Sequence, residues 1–342
     1  MKYISCESVA LDAILGDHPL KSKISAVSRT YPFRLSASYA ALIKDCQDPV
    51  WRQCVPDPRE LEDVEQQPDP LHEASLSPVP GLIHRYPDRV VMLVSNRCPV
   101  YCRFCMRKRM VGLQASALDA NTLEAALEYI ENTPAIHDVV LSGGDPLMLD
   151  DDALQYILSR LRKIGHVSLI RIGTRMPVTY PERVTPQLCG MLKQFHPLYI
   201  NTHFNHPAEV SDASSRACSR LADAGIPLGN QTVLLKGVND DVDTMRALMM
   251  KLLSIRVRPY YIHQLDLVRG TAHFRTSVKK GLEIVRGLRG HVSGMAVPHY
   301  VIDLPGGKGK VALLPDQAER KGNVLTLTTY TGEKVVYADV VE

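Results

Sequence analysis

The chain has 342 residues, 45% of them hydrophobic and 23% charged, a globular mix long enough for one large domain with extensions or two ordinary ones. Forty basic against thirty-seven acidic side chains leave a formal charge of +3, too small to mark the broad basic face of a nucleic-acid binder. No apolar run approaches the ~20 residues of a membrane span, and the start, MKYISCESVA, lacks the apolar stretch of a secretory signal, so the expectation is a cytoplasmic protein without membrane or nucleic-acid partners.

Residues 1–80 read as a helical N-terminal region, with fragments such as YAALIKDCQDPVWRQCV and PRELEDVEQQPDP broken by proline and acid. From 81 to 305 the texture changes to short β-rich runs alternating with amphipathic helical stretches, the pattern of repeated βα units around a parallel sheet. The predicted strands are RVVMLVS (89–95), DVVLSG (138–143), LIRIGTR (169–175), LYINTHF (198–204), GNQTVLLK (229–236), PYYIHQL (259–265) and AVPHYVID (296–303). Between them, NTLEAALEYIENT follows an Asn cap, DDDALQYILSRLRKIG has an acidic first turn and a closing glycine, and VDTMRALMMKLLS repeats the style. Six or seven such repeats suit an α/β fold built as a partial (β/α)6-type barrel better than a complete eight-fold barrel, which takes about 250 residues; a doubly wound sheet competes. Residues 306–342 form a small C-terminal β extension, in which NVLTLTTYTGEKVVYADVV alternates apolar and polar around Thr-Gly as a hairpin does.

Five of the eight cysteines, Cys6, Cys46, Cys54, Cys189 and Cys218, are scattered; Cys98, Cys102 and Cys105 form a C-x3-C-x2-C array directly after the first long strand. Without a secretory signal such spacing points to metal or catalysis rather than disulfides. Zinc ordinarily takes a fourth Cys or His, whereas three thiolates on a cubane iron–sulfur cluster leave one iron open to a ligand. A zinc knuckle with a remote fourth ligand, or three unrelated thiols, are the competing readings. Arg103, Arg107, Lys108 and Arg109 place positive charge beside the triplet, which is expected to lower the thiol pKa values; for Lys108 and Arg109 a solvated basic turn is an equal reading.

C-x3-C-x2-C at the end of a first barrel strand, with Phe104 before the last cysteine, resembles the radical S-adenosylmethionine (SAM) enzymes. The resemblance implies a 4Fe–4S cluster on Cys98, Cys102 and Cys105 whose open iron binds the methionine end of SAM. LSGGDPL then resembles that superfamily's glycine-rich segment, with Gly143 and Gly144 permitting close backbone approach and Ser142 and Asp145 meeting the methionine amino group. Further segments, HRYPDRV, RIGTRMPV, NTHFNHP, NQTVLLKGVND, YYIHQLDLVRGTAHFRT and DLPGGKGK, resemble the lysine 2,3-aminomutase group from about Leu82 to Leu314.

That second resemblance implies pyridoxal 5′-phosphate (PLP) as a further cofactor, held by the lysine seven residues after Asp303, Lys310. Lys308 stands where another glycine is common and is the rival for this role. Arg85, Tyr86 and Arg89 match positions lining PLP, while His203 and Gln231 on strand ends face SAM. The substrate implied is L-lysine, its distal ammonium between Asp266 and Asp303 and its carboxylate on Arg107; an ammonium removed from water needs such pairing. Two positions depart from the pattern. His263 replaces a familiar tyrosine, and Asp241 replaces a zinc-binding cysteine, so no structural zinc is expected. A flavodoxin- or ferredoxin-type electron donor and a homo-oligomer are implied. The alternatives are a β-lysine former serving elongation factor P, an aminomutase for another amino acid, and a non-catalytic zinc-binding module.

Overall fold

The computed structural model describes residues 2–46, 48–113, 119–315, 317–322 and 324–338. Its main sheet has nine strands in strictly sequential order: β1 (Leu82–Tyr86), β2 (Arg89–Ser95), β3 (Asp138–Gly143), β4 (Leu169–Gly173), β5 (Leu198–Thr202), β6 (Leu228–Leu234), β7 (Arg258–Gln264), β8 (His299–Asp303) and β9 (Lys310–Leu313). Strands β2 to β8 are parallel, and β1 and β9 close the two edges antiparallel. A doubly wound sheet would reverse its strand order at a switch point. Sequential order with unpaired ends is that of an open barrel, and its six crossovers between parallel strands make the expected partial (β/α)6 arrangement.

The N-terminal region contributes α1 (Leu11–Leu15), α2 (Lys21–Thr30), α3 (Ala37–Ala40) and α4 (Pro49–Cys54). The crossovers are α5 (Ala120–Glu131), α6 (Asp151–Lys163), the pair α7 (Met176–Thr179) and α8 (Pro186–Leu192), then α9 (Asp212–Asp223), α10 (Val242–Ser254) and α11 (Val278–Leu288). The caps follow from local chemistry. Asp150 accepts from the Ala153 amide at 2.9 Å and α6 ends in Arg160, Arg162 and Lys163, which complement the helix dipole. Asp241, the position read as a lost zinc ligand, is the N-cap of α10, accepting from Thr244 at 2.8 Å.

Alternation along the strands sorts core from cavity. On β3 and β4, Val139, Leu141, Ile170 and Ile172 are fully buried, while Asp138, Val140, Ser142, Arg171 and Gly173 line a central cavity. On β6 the neighbours Asn230 and Thr232 are buried and Gln231 and Val233 face the cavity. The barrel interior is therefore partly polar, unlike the packed interior of a closed eight-fold barrel.

Several strands stop short of the predicted ends. The strand β4 ends at Gly173: the Thr174 amide still reaches Asn201 O at 3.0 Å, but the Arg175 amide turns to the Asp145 carboxylate at 2.8 Å. The predicted hairpin is part of a separate three-stranded antiparallel sheet, β10 (Ala318–Lys321), β11 (Val324–Thr328) and β12 (Lys334–Ala338), with its turn at Thr329–Gly332; residues 323 and 339–341 of that segment lie outside the described residues. Among the described residues no helix is long and apolar enough to cross a membrane.

Candidate active site

The cavity inside the open barrel has a volume of about 890 Å³, within the usual range of small-molecule and cofactor sites. Cys98, Cys102 and Cys105 all line it, on the loop that follows β2. Among the described residues no three His, Cys, Asp or Glu side chains form a group that could hold a single ion; the three thiols line the same cavity. The loop is anchored to the N-terminal region by Tyr101 N to Arg34 O at 3.0 Å and Arg103 N to Gln53 O at 2.9 Å.

Arg107 and Lys108 do pull the Cys105 thiol down as expected, but burial outweighs them. Burial pushes Cys98 well above the usual range and Cys105 up to about 11, helped by the other thiols. The basic residues are spent elsewhere. Glu60 accepts from Arg103 at 2.9 and 2.5 Å and from Lys108 at 2.6 Å, all three buried, and burial brings Lys108 down to about 8 despite that carboxylate. Lys108 and Arg109 are thus neither solvated nor ligands: both are paired with acids of the N-terminal region, Arg109 with Asp69 and Glu73. Thiols that are only partly exposed, at a cavity wall, lose their protons to the charge of a bound metal rather than to nearby cations.

Gly143 and Gly144 do permit close approach, but to the protein's own backbone. Gly143 has φ +125°, and a Cβ there would collide with the Ser95 carbonyl oxygen; one on Gly144 would collide with the backbone of Arg97. The segment clamps the start of the cysteine loop, with Asp145 N bound to Arg97 O at 2.7 Å. Asp145 lines the cavity beside them. Its carboxylate is buried and accepts from Thr174 Oγ1 at 2.7 and 2.9 Å, Leu147 N at 3.0 Å and Arg175 N at 2.8 Å, which fixes its orientation and leaves acceptor capacity for a further donor. Ser142 lines the cavity and accepts from Arg107 Nη1 at 3.1 Å.

At the far wall, Asp303 and Lys310 are directly opposed partners of the β8–β9 hairpin, joined through a turn in which Gly306, Gly307 and Gly309 all have positive φ. Lys310 Nζ donates to Asp303 Oδ2 at 2.5 Å and lies 5.4 Å from the Tyr261 ring centre, and its amide donates to Tyr86 Oη at 2.8 Å. Lys310 lines the cavity; Lys308 is exposed on the outside of the turn. Asp303 also meets His263 Nδ1 at 3.2 Å and Arg85 Nη1 at 3.4 Å, and despite its burial these hydrogen bonds and cations hold its carboxyl well below the usual range.

The Asp266 carboxylate, facing the same cavity, takes no hydrogen bond or ion pair among the described residues. Burial and the nearby Asp303 push it up to about 7, with Lys310 opposing. Arg89 stacks 4.2 Å over Tyr86, and His203 lies 3.1 Å from Asn205 Oδ1 with its pKa driven well down by burial and by Arg175. Gln231 also lines the cavity.

These residues fit the implied groups. The thiols line one cavity, Lys310 presents a primary amine to it, and Arg85 Nε and His263 Nε2 are buried polar atoms with no partner, as donors or acceptors awaiting a ligand would be. Sequence reading missed Glu73, which binds Arg107 through two bonds of 2.7 and 3.0 Å, and Arg171, which lines the cavity bound to Asp138 at 2.9 and 2.7 Å. Glu73 left no local signal. Glu60 did: with Asp57 it forms a D-x-x-E capping box.

An open α/β barrel with a cysteine triplet at its first parallel strand defines the class, and residues 92–248 match the model described as Radical SAM superfamily. Residues 285–338 match the model described as Lysine-2,3-aminomutase. The chain is 51% identical to an L-lysine 2,3-aminomutase of Acetoanaerobium sticklandii, over 90% of this chain and 75% of that protein. It is 50% identical to the L-lysine 2,3-aminomutase of Clostridium subterminale, over 88% and 73% respectively. A glutamate 2,3-aminomutase of Clostridioides difficile is 45% identical over 93% of this chain and 76% of its own length. The chain belongs to the lysine 2,3-aminomutase family of radical SAM, PLP-dependent enzymes, which use a 4Fe–4S cluster.

Proposed function

We propose that this enzyme is an L-lysine 2,3-aminomutase that moves the α-amino group of L-lysine to carbon 3, taking its electron from a one-electron reductant. When bound, the cluster and SAM supply radical initiation and PLP supplies the carrier for the migrating nitrogen. The observation that carries the choice of substrate is the pair Asp266 and Asp303, two carboxylates facing one cavity where the chain's own Lys310 ammonium is already seated on Asp303. A site that accommodates one alkylammonium there suits the distal ammonium of lysine, and repels the distal carboxylate of glutamate.

The residues divide the work by charge. Cys98, Cys102 and Cys105 are the ligands of the cluster, and Ser142, Gly143, Gly144, Asp145, His203 and Gln231 form the adjoining wall for SAM. Lys310 is the amine that holds PLP, with Arg85, Tyr86 and Arg89 along the cofactor. Arg107 is oriented by Glu73 and keeps Nη1 beside Ser142 at the cavity for the substrate carboxylate. With the Lys310 nitrogen engaged by PLP, Asp303 would be open to the distal ammonium of the substrate, and Asp266 takes up full negative charge as that ammonium arrives. The protein then fixes both ends of the substrate and excludes water from the reacting centre.

Anaerobic incubation of reconstituted enzyme with SAM, PLP, dithionite and either L-lysine or L-glutamate, followed by amino-acid analysis, tests this. β-Lysine is expected and β-glutamate is not. β-Glutamate as the main product, or no β-lysine from cluster-replete protein, would overturn the assignment.

A further inference from the structure

Arg175 is a buried cation that the mechanism above does not use. Arg175 follows β4, and its guanidinium is held on every side. Nε donates to His203 O at 3.1 Å; Nη2 donates to Glu209 Oε1 and Gln53 Oε1, each at 2.6 Å, and to Tyr39 Oη at 3.0 Å. Nη1 donates to Cys102 Sγ at 2.8 Å. The backbone amide of the same residue holds Asp145 of the glycine-rich segment at 2.8 Å.

Glu209 is itself held by the amides of Asn205 and His206 at 2.6 and 2.8 Å and by the Tyr39 hydroxyl at 2.6 Å, so it is fixed in place against the guanidinium. Two of the groups that fix Arg175, Tyr39 on α3 and Gln53 on α4, come from the N-terminal region. The structure therefore runs a rigid chain of hydrogen bonds from those helices to one sulfur of the cysteine triplet.

We propose that Arg175 is a positioning residue that raises the reduction potential of the cluster by donating a charged hydrogen bond to Cys102 Sγ, with Glu209 as the counter-charge that trims the effect. The proposal rests on the reading of the three cysteines as cluster ligands. Reduction adds an electron to the cluster, and in a buried site a cation bonded to a ligand sulfur stabilises the added charge, while a nearby anion opposes it. The two residues thus act on the same quantity with opposite signs.

The test is an EPR-monitored redox titration of anaerobically reconstituted protein, with iron and sulfide counted in each sample. Arg175→Gln is expected to shift the midpoint potential downward, and Glu209→Gln to shift it upward. A purely structural role predicts no such opposition, since both changes would only loosen the loop. Variants with full iron content whose potentials do not move, or move in the same direction, would overturn the proposal. If Arg175→Gln fails to retain iron, Glu209→Gln decides alone: it keeps the guanidinium, and an unchanged or lowered potential refutes the idea. Wild-type protein that takes up no cluster would overturn the cluster reading itself, a distinct failure.

Discussion

Asp266 is the residue at which binding and folding oppose each other most sharply. Its folded-state pKa of about 7 lies roughly three units above the ordinary 3.8, which at 1.36 kcal/mol per unit makes the ionised form cost about 4 kcal/mol in the free enzyme. That is an upper limit, because the carboxylate faces a cavity open to solvent. The sign follows from linkage: a raised carboxyl pKa favours the folded state only below about 3.8, the benefit is lost between about 3.8 and 7, and above about 7 the cost is complete.

Asp266→Asn removes that cost, so by thermal unfolding of the cofactor-free protein the variant should be more stable by several degrees at about pH 8, with the difference vanishing near pH 4. The same change leaves the substrate ammonium with one carboxylate, and truncating one partner of such a pair costs about 2–5 kcal/mol. The kcat/KM for lysine should therefore fall by roughly 10² or more, mainly through KM. In the wild type, kcat/KM should decline below about pH 7 as Asp266 protonates in the free enzyme, and the variant should lose that acid limb. An Asp266→Asn protein with unchanged stability and an intact acid limb would refute the assignment of this carboxylate to the ammonium.

Lys310→Ala should abolish the visible absorbance of bound PLP and all turnover while iron content stays normal, whereas Lys308→Ala, on the exposed side of the turn, should alter neither; the reverse result would place PLP on the wrong lysine. Gly144→Ala drives a Cβ into the Arg97 backbone, which cannot swing aside, and should cost about 1–3 kcal/mol and much of the iron uptake, read by unfolding and iron analysis. Glu60→Gln leaves Arg103 and Lys108 buried against one neutral amide, and should destabilise by about 3–5 kcal/mol; a loss below about 1 kcal/mol in denaturant titration would show that the triad is solvated.

Local chemistry in the sequence determined the repeating strands and helices, because alternation and capping are properties of neighbouring residues: β3 appears where DVVLSG predicts it, and α6 begins where its acidic first turn predicts it. It also determined the donor set, since Cys98, Cys102 and Cys105 lie within one short loop and Asp303 and Lys310 across one tight turn. Only tertiary structure decided what those groups experience. The basic run after Phe104 looked poised to ionise the thiols, but Glu60 and Glu73, thirty to fifty residues upstream, neutralise it. Asp145 reads as a lone turn residue in the sequence, but Thr174 and the Arg175 amide, just after the next strand, fix its carboxylate at the cavity. Arg175 reaches Cys102 only because β3, β4 and the N-terminal helices converge at one end of the open barrel. Charge pairing and desolvation act through space, and space is assigned by the fold.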